Sequence, residues 1–593
     1  MSRVNVVQSA MGLFQAGKPE EAKAALRRHL TKAPGDVAAL KLLGALHGEL
    51  HEDDESFAVM QRAVAVAPKD AEARFMLGNI ATIVRQYRVG AEAYEKAVAL
   101  RPANLQAYDG LAKCLMSLGE FDRAMEWYER AISLDPGNTD TYHRMGTTLA
   151  LLGRVAEGMA AARRGLAIRP DDPALLEFVV YYQNFLDGVD PRRHREEHEA
   201  LGHTVAARIG AGGPFRNVMD PEKPLRVAFL SADFYFHACA FFLQGPLREF
   251  DRSRLTPFLY AHPTKRDEYT ELMKGLGEWR DVSGMTPWEV RAQAERDGID
   301  VMIDCAGWTD RLNMECCALR VAPVQATYLG YPNTTGVPGV DYRIIDAHTD
   351  PPGSEDQCTE RLARLRECFL CFEPPVGAPG QQGEPPCCQS GPGGESGPVT
   401  FGTFNRMMKA GDRALETWAR VLREVPASRL LIKIQIAAEE VAPNFIAKFE
   451  RLGVSRDRII TSEWAKKPGE HFPMYRRMDI ALDSFPYNGT TTTCEALWSG
   501  VPVVALAGGT HRARVGVSLL HAVGTPELVA RDEDDYVRIA AELAGDRARL
   551  RQYHSTLRGR MEQSPLMNAK GFAAGFELLV RQMWREACGR RGA

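Results

Sequence analysis

Four consecutive threonines, Thr490 to Thr493, follow an apolar run that ends at Phe485, and Glu495 stands two residues beyond them. Threonine hydroxyls and free backbone N–H groups at the start of a helix are suited to an anion such as a diphosphate. Thr492 and Glu495 also fit an S/T-x-x-E capping box, which would need no ligand, but four threonines exceed what one cap uses. Glu495 could accept hydrogen bonds from ribose hydroxyls. Lys409, in FNRMMKAGD, lies just past a second apolar run, where an ammonium could neutralise a departing diphosphate. His237, in SADFYFHA, lies past a third, and an imidazole of ordinary pKa about 6.5 suits proton transfer. The acidic run Asp532-Glu533-Asp534 precedes YVRIAAEL and reads as the polar first turn of a helix, so no metal site is expected.

Such groups need strand ends to hold them. After Pro224 short apolar runs alternate with helical pattern: LRVAFLSADF (225–234), LTPFLYAH (255–262), IDVMIDCAG (299–307), VQATYLGYP (324–332) and DYRIIDA (341–347). A second series follows with VTFGTFN (399–405), SRLLIKIQ (428–435), RIITSEW (458–464), DIALDSFP (479–486) and VPVVALAG (501–508). Such alternation predicts two parallel sheets covered by helices, two Rossmann-like lobes with a ligand cleft at the strands' carboxyl ends. Neither half opens with GxGxxG, which disfavours nicotinamide chemistry. Between them, the Gly/Pro-rich tract 374–398 is expected to build no core and to act as an insertion or linker.

The first 186 residues have a different rhythm. Pro34, Pro68, Pro102, Pro136 and Pro170 recur every 34 residues, the period of a two-helix tetratricopeptide unit. Small residues keep the same register at Gly44, Gly78, Ala112 and Gly146, and at Ala63, Ala97, Ala131 and Gly165. The fold class is therefore an all-α tetratricopeptide superhelix followed by an α/β unit. Expected boundaries are 1–186 for the array with a closing helix, 187–224 for a helical linker, 225–373 for the first lobe, 374–398 for the insertion and 399–593 for the second lobe. Stacked helix pairs offer surface and no chemistry, so the array is expected to bind protein or peptide substrates, although it could also serve a homodimer.

With 73 basic and 77 acidic side chains the formal net charge is -4, too balanced to point to nucleic acid or an anionic membrane. A basic and apolar leader and long apolar segments are missing from the sequence, which predicts a cytoplasmic location. The twelve cysteines are scattered through apolar segments rather than spaced as a disulfide framework. Cys368, Cys371, Cys387 and Cys388 could be considered for zinc, but the second pair is adjacent and lies in the Gly/Pro tract.

The repeats followed by SADFYFHA, ALRVAPVQATYLGYPNTTGVPGVDYRIID, LRECFLCF, FGTFNRMMK and DSFPYNGTTTTCEALWSGVPVV closely resemble the O-GlcNAc transferase and SPINDLY family. The resemblance implies a two-lobed glycosyltransferase of the B-type fold, inverting and metal-independent, with a nucleotide sugar as co-substrate and no resident cofactor. By motif it implies catalytic roles for His237 near the acceptor and Lys409 on the diphosphate, and a phosphate turn at Thr490, Thr491 and Thr492. It further implies a base-stacking role for His471, a ribose contact for Glu495, and the Gly330-Tyr331-Pro332 turn close to the sugar. UDP-GlcNAc is the favoured donor. GYPNTTG, TTTT and His511 look more like SPINDLY proteins, some of which use GDP-fucose, so a protein O-fucosyltransferase is the alternative. A repeat scaffold carrying a degenerate enzyme unit is the alternative of another class.

Overall fold

The computed structural model describes residues 3–379, 384–389, 397–434, 438–463 and 468–591. The chain divides into two compact units, one of residues 1–149 and 160–170, the other of residues 150–159 and 171–593.

The first unit is the helical tetratricopeptide array. Its repeated prolines each stand two residues past a second helix: Pro34 after Pro19–Lys32, Pro68 after Asp53–Val66, Pro102 after Tyr87–Leu100 and Pro136 after Phe121–Leu134. There the missing N–H costs no helical bond. Asp36 and Asp70 then cap the helices Val37–Glu49 and Ala71–Ile83, accepting backbone N–H bonds. The small residues mark close packing. A Cβ on Gly44 would lie 2.6 Å from the Met60 sulfur and one on Gly78 2.7 Å from the Tyr94 ring, while Ala63, Ala97 and Ala131 are buried.

In the second unit the helices Pro173–Tyr182 and Pro191–Ile209 precede the first sheet. The helix expected to close the array thus falls in this unit and packs on Pro191–Ile209. The sheet's strands are β1 (Leu225–Ser231), β2 (Leu255–Ala261), β3 (Glu278–Asp281), β4 (Val301–Asp304), β5 (Val324–Thr327), β6 (Tyr342–Asp346) and β7 (Arg361–Leu365). They run parallel in the order β3-β2-β1-β4-β5-β6-β7. The second sheet holds β8 (Thr400–Thr403), β9 (Arg429–Ile434), β10 (Ile459–Glu463), β11 (Ile480–Leu482), β12 (Val503–Leu506) and β13 (Val529–Ala530), parallel in the order β10-β9-β8-β11-β12-β13. In each sheet the order reverses beside the first strand, at β1/β4 and at β8/β11, the switch points where an open α/β sheet leaves a crevice.

Three strands are missing from the sequence expectation: β3, β7 and β13. The first two are edge strands of mixed or exposed side chains, EWRD and RLARL, and the third has two residues, so none shows an apolar run. Of the Gly/Pro tract, residues 380–383 and 390–396 lie outside the described residues, and two of its described residues are core residues. Its Cys387 and Cys388 are buried in the main core, and the Cys387 N–H donates to Asp479 Oδ1 at 2.9 Å. The last helix, Ala569–Arg591, returns to the first sheet, where Phe576 meets the rings of Phe229, Phe250 and Tyr328. Among the described residues no helix is long and apolar enough to cross a membrane.

Candidate functional site

β11 ends at Leu482 and the chain turns through Asp483–Thr490 into the helix Thr491–Trp498. Asp483 fastens the turn: its Oδ1 accepts the N–H of Ser484 at 2.9 Å and of Gly489 at 2.7 Å, and the Asn405 amide at 3.1 Å. Gly489 is required by space, since a Cβ there would lie 2.5 Å from Thr492 Oγ1 and 2.9 Å from Asn405 Oδ1. The capping box is not formed. Thr490, not Thr492, is the residue before the helix, and its side chain makes no cap bond. Thr492 Oγ1 instead donates to Asn405 Oδ1 at 2.6 Å.

Lys409 arrives at this turn from a short helical turn, Met407–Lys409, that follows β8. Its Nζ donates to the Asn488 carbonyl at 3.1 Å and stands 3.9 Å over the Tyr487 ring. Burial lowers its pKa to about 8, opposed by the nearby Asp483 carboxylate and reinforced by Arg406. Burial likewise raises Asp483 to about 7, against the pull of the N–H of Gly489 and of Lys409. An ammonium beside a turn of N–H groups and hydroxyls is an arrangement that stabilises negative charge.

His471 joins the same helix from the other side. Its Nε2 is 2.7 Å from Glu495 Oε2, and its Nδ1 is 2.6 Å from Lys433 Nζ on β9. A lysine has donors only, so Nδ1 accepts and Nε2–H donates to the carboxylate, which sets the tautomer. Tyr475 also donates to Glu495 Oε2, at 2.9 Å. Burial brings Lys433 down to about 8, with Glu495 pulling the other way.

In the first lobe His237 follows β1 and caps the helix Ala238–Glu249, its ring nitrogen accepting the Cys239 N–H at 3.4 Å. Nδ1 also lies 3.5 Å from Asp233 Oδ2. Burial depresses its pKa, Asp233 opposes and Arg406 adds to the depression, so the imidazole is neutral near pH 7. The charge of Arg406, on the second lobe, thus acts on both His237 and Lys409. Asp233, His237 and Cys239 are the one group among the described residues whose ligand-type atoms fall within 4.8 Å of one another. Burial holds the Cys239 thiol protonated, and its Sγ faces Asp233 Oδ2 at 3.7 Å.

The Gly330-Tyr331-Pro332 turn is packed tightly. A Cβ on Gly330 would come 2.1 Å from the Cys305 carbonyl oxygen. The Tyr331 phenol is buried against the two helices preceding the sheet, accepting from Asn184 Nδ2 at 3.1 Å and donating to His198 Nε2 at 2.7 Å, with the Val180 carbonyl 3.3 Å away. Its side chain is a tether to those helices, which leaves the backbone of the turn as the part that could meet a ligand.

Asn405, Arg406, Lys433, Tyr475 and Asp483 were not among the residues expected to carry the site. Lys433 left a signal, a lone lysine in the apolar strand LLIKI. Arg406 and Asn405 sit in the same FNRMMK segment as Lys409.

A model of glycosyl transferase family 41 matches residues 214–373 and 393–576, and a tetratricopeptide repeat model matches 8–71 and 84–139. The chain is similar to the probable UDP-N-acetylglucosamine–peptide N-acetylglucosaminyltransferase SPINDLY of Arabidopsis thaliana, 39% identical over 378 residues, covering 63% of this chain and 41% of the relative. The protein of the same description from Solanum lycopersicum is 37% identical over 430 residues, 71% of this chain and 45% of the relative. The chain therefore spans less than half the length of these curated relatives. Among solved structures, a lysine-to-methionine mutant of Thermobaculum terrenum O-GlcNAc transferase superposes with a TM-score of 0.77 at 29% identity, over 88% of this chain and 98% of that one. Two parallel sheets, a threonine turn and a lysine beside it agree with what the family model finds across more than half of the sequence: the chain belongs to glycosyl transferase family 41.

Proposed function

We propose that the chain is an inverting, metal-independent protein O-glycosyltransferase that moves a sugar from UDP-GlcNAc to serine or threonine of proteins held by the repeat array. The observation that carries this reading is the Lys409 ammonium bonded to the Asn488 carbonyl beside Thr490–Thr492. In one displacement the acceptor oxygen attacks the anomeric carbon, the bond from that carbon to the diphosphate oxygen breaks, and the configuration inverts. The departing diphosphate lies on the threonine turn, where Lys409 and Arg406 supply the positive charge a cation would otherwise bring. His237, neutral at pH 7, stands at the acceptor side and takes the proton.

His471, fixed by Lys433 and Glu495, presents its ring to the base. Glu495 has Oε2 engaged by His471 and Tyr475, and Oε1 serves a ribose hydroxyl. The SPINDLY relatives carry names that specify UDP-N-acetylglucosamine, which supports the donor named here. The GYPNTTG and TTTT segments support GDP-fucose as the second reading. Thermal unfolding of the full chain with UDP, GDP, UDP-GlcNAc and GDP-fucose separates them, because a ligand bound only by the folded state raises the transition. Stabilisation by the uridine species selects the first reading; stabilisation by the guanosine species alone replaces it.

A further inference from the structure

A small cavity lies where the two lobes of the second unit meet. Its walls include His194, Asn333, Arg343, Thr510, His511 and Arg512, and of the residues read as donor-binding only Pro332 reaches it. Two of the wall residues are arginines in an unusual state. Arg343, on β6, is 3% exposed and Arg512, in the turn His511–Ala513, is 4% exposed. Arg343 Nη1 donates to the Cys358 sulfur at 3.6 Å, while its Nη2 and the Nε of Arg512 are buried with no acceptor among the described residues. Among the described residues no carboxylate lies within ion-pair distance of either guanidinium.

Asp350 and Glu360 act on Arg343 through their charge, and each has a bond elsewhere. Asp350 Oδ2 is 2.5 Å from His511 Nδ1, and Glu360 takes the hydroxyls of Thr334 and Thr335. His194 is neutral, since burial and the charge of Arg512 bring its pKa to about 3; its Nε2 donates to the Val180 carbonyl, and its Nδ1 lies 3.1 Å from Asn333 Nδ2. That amide also donates to Asn184 Oδ1. The cavity wall therefore carries two guanidinium cations with spare donors against one engaged carboxylate. Burial of an unpaired charge is costly, and a guanidinium fork is matched by the oxygens of a tetrahedral oxoanion.

We propose that this cavity is an oxoanion site, distinct from the donor turn, that takes inorganic phosphate or sulfate between Arg343 and Arg512. One arginine belongs to the first sheet and the other to the second lobe, so the anion ties the lobes together. It also connects with the donor turn, because the Arg512 carbonyl accepts the N–H of Asn488, the residue whose own carbonyl receives Lys409.

The test is thermal unfolding of the full chain in increasing phosphate, against chloride at matched ionic strength. Phosphate is expected to raise the melting temperature saturably, by about 2 °C or more. Arg343→Gln and Arg512→Gln should each abolish the rise, and Lys409→Ala should keep it, which separates this site from the donor diphosphate. Arg512→Gln is the safer variant, since among the described residues its guanidinium has no hydrogen-bond or ion-pair partner whose loss could unfold the chain. An equal rise with chloride, a rise that survives both arginine variants, or one lost only in Lys409→Ala would overturn the proposal.

Discussion

Lys433 Nζ lies 2.6 Å from His471 Nδ1, and the opposite nitrogen of that ring lies 2.7 Å from Glu495 Oε2. A strand lysine and a helix carboxylate thus fix both the tautomer and the plane of a histidine expected to face the nucleotide base. Lys433→Met frees the ring while keeping the stem's apolar volume. Nucleotide affinity measured by calorimetry should fall about tenfold, the equivalent of one charge-assisted hydrogen bond. Unchanged affinity would leave Lys433 no part in nucleotide binding.

The low pKa of Lys409 gives the reaction an alkaline limit. Burial brings its pKa to about 8, so above that pH the ammonium is lost and donor binding should fall by about tenfold per pH unit. Stability runs the other way. The unfolded lysine holds its proton to about 10.4, so between the two values the unfolded state binds more protons and this group makes folding more favourable as pH rises. A profile of nucleotide affinity against pH, with unfolding recorded on the same samples, should show binding lost while the fold is kept.

Gly489 has no room for a side chain, with Thr492 Oγ1 at 2.5 Å from the position of a Cβ. Gly489→Ala should cost about 1–3 kcal/mol of stability by overpacking and should displace Thr492 from Asn405. Denaturant unfolding and nucleotide titration together check this: both should worsen, with binding lost at temperatures where the chain is still folded.

In the array, a Cβ on Gly78 would lie 2.7 Å from the Tyr94 ring. Gly78→Leu should disrupt the helix pairs locally while the donor turn stays intact. Transfer to protein acceptors should fall severalfold, and slow hydrolysis of the nucleotide sugar should continue at the unaltered rate. Equal protein transfer by both forms would remove the array from acceptor binding.

The legible parts of this fold were those where a single residue type carries its reason with it. Pro34, Pro68 and Pro102 mark turns because proline lacks an N–H, and the thirty-four-residue step between them needs no tertiary knowledge. The apolar strands β1, β8 and β11 were visible because both faces of a parallel sheet are buried. β3 and β7 were not, since an edge strand keeps polar residues. The site divides in the same way. A run of four threonines announces itself, but the role of Lys433 depends on a histidine 38 residues away in sequence, a pairing that only the folded chain makes. Tyr331 shows the converse: its motif was legible, yet its hydroxyl is turned to Asn184 and His198 rather than left free.

Positive charge from Lys409 on the leaving diphosphate is proposed to supply most of the rate. Single-turnover transfer to a peptide acceptor by Lys409→Ala and His237→Ala, each shown to be folded, measures it directly. Lys409→Ala should slow transfer by about 10²–10³-fold, more than His237→Ala does. A Lys409→Ala rate comparable to that of the unmodified chain would contradict it.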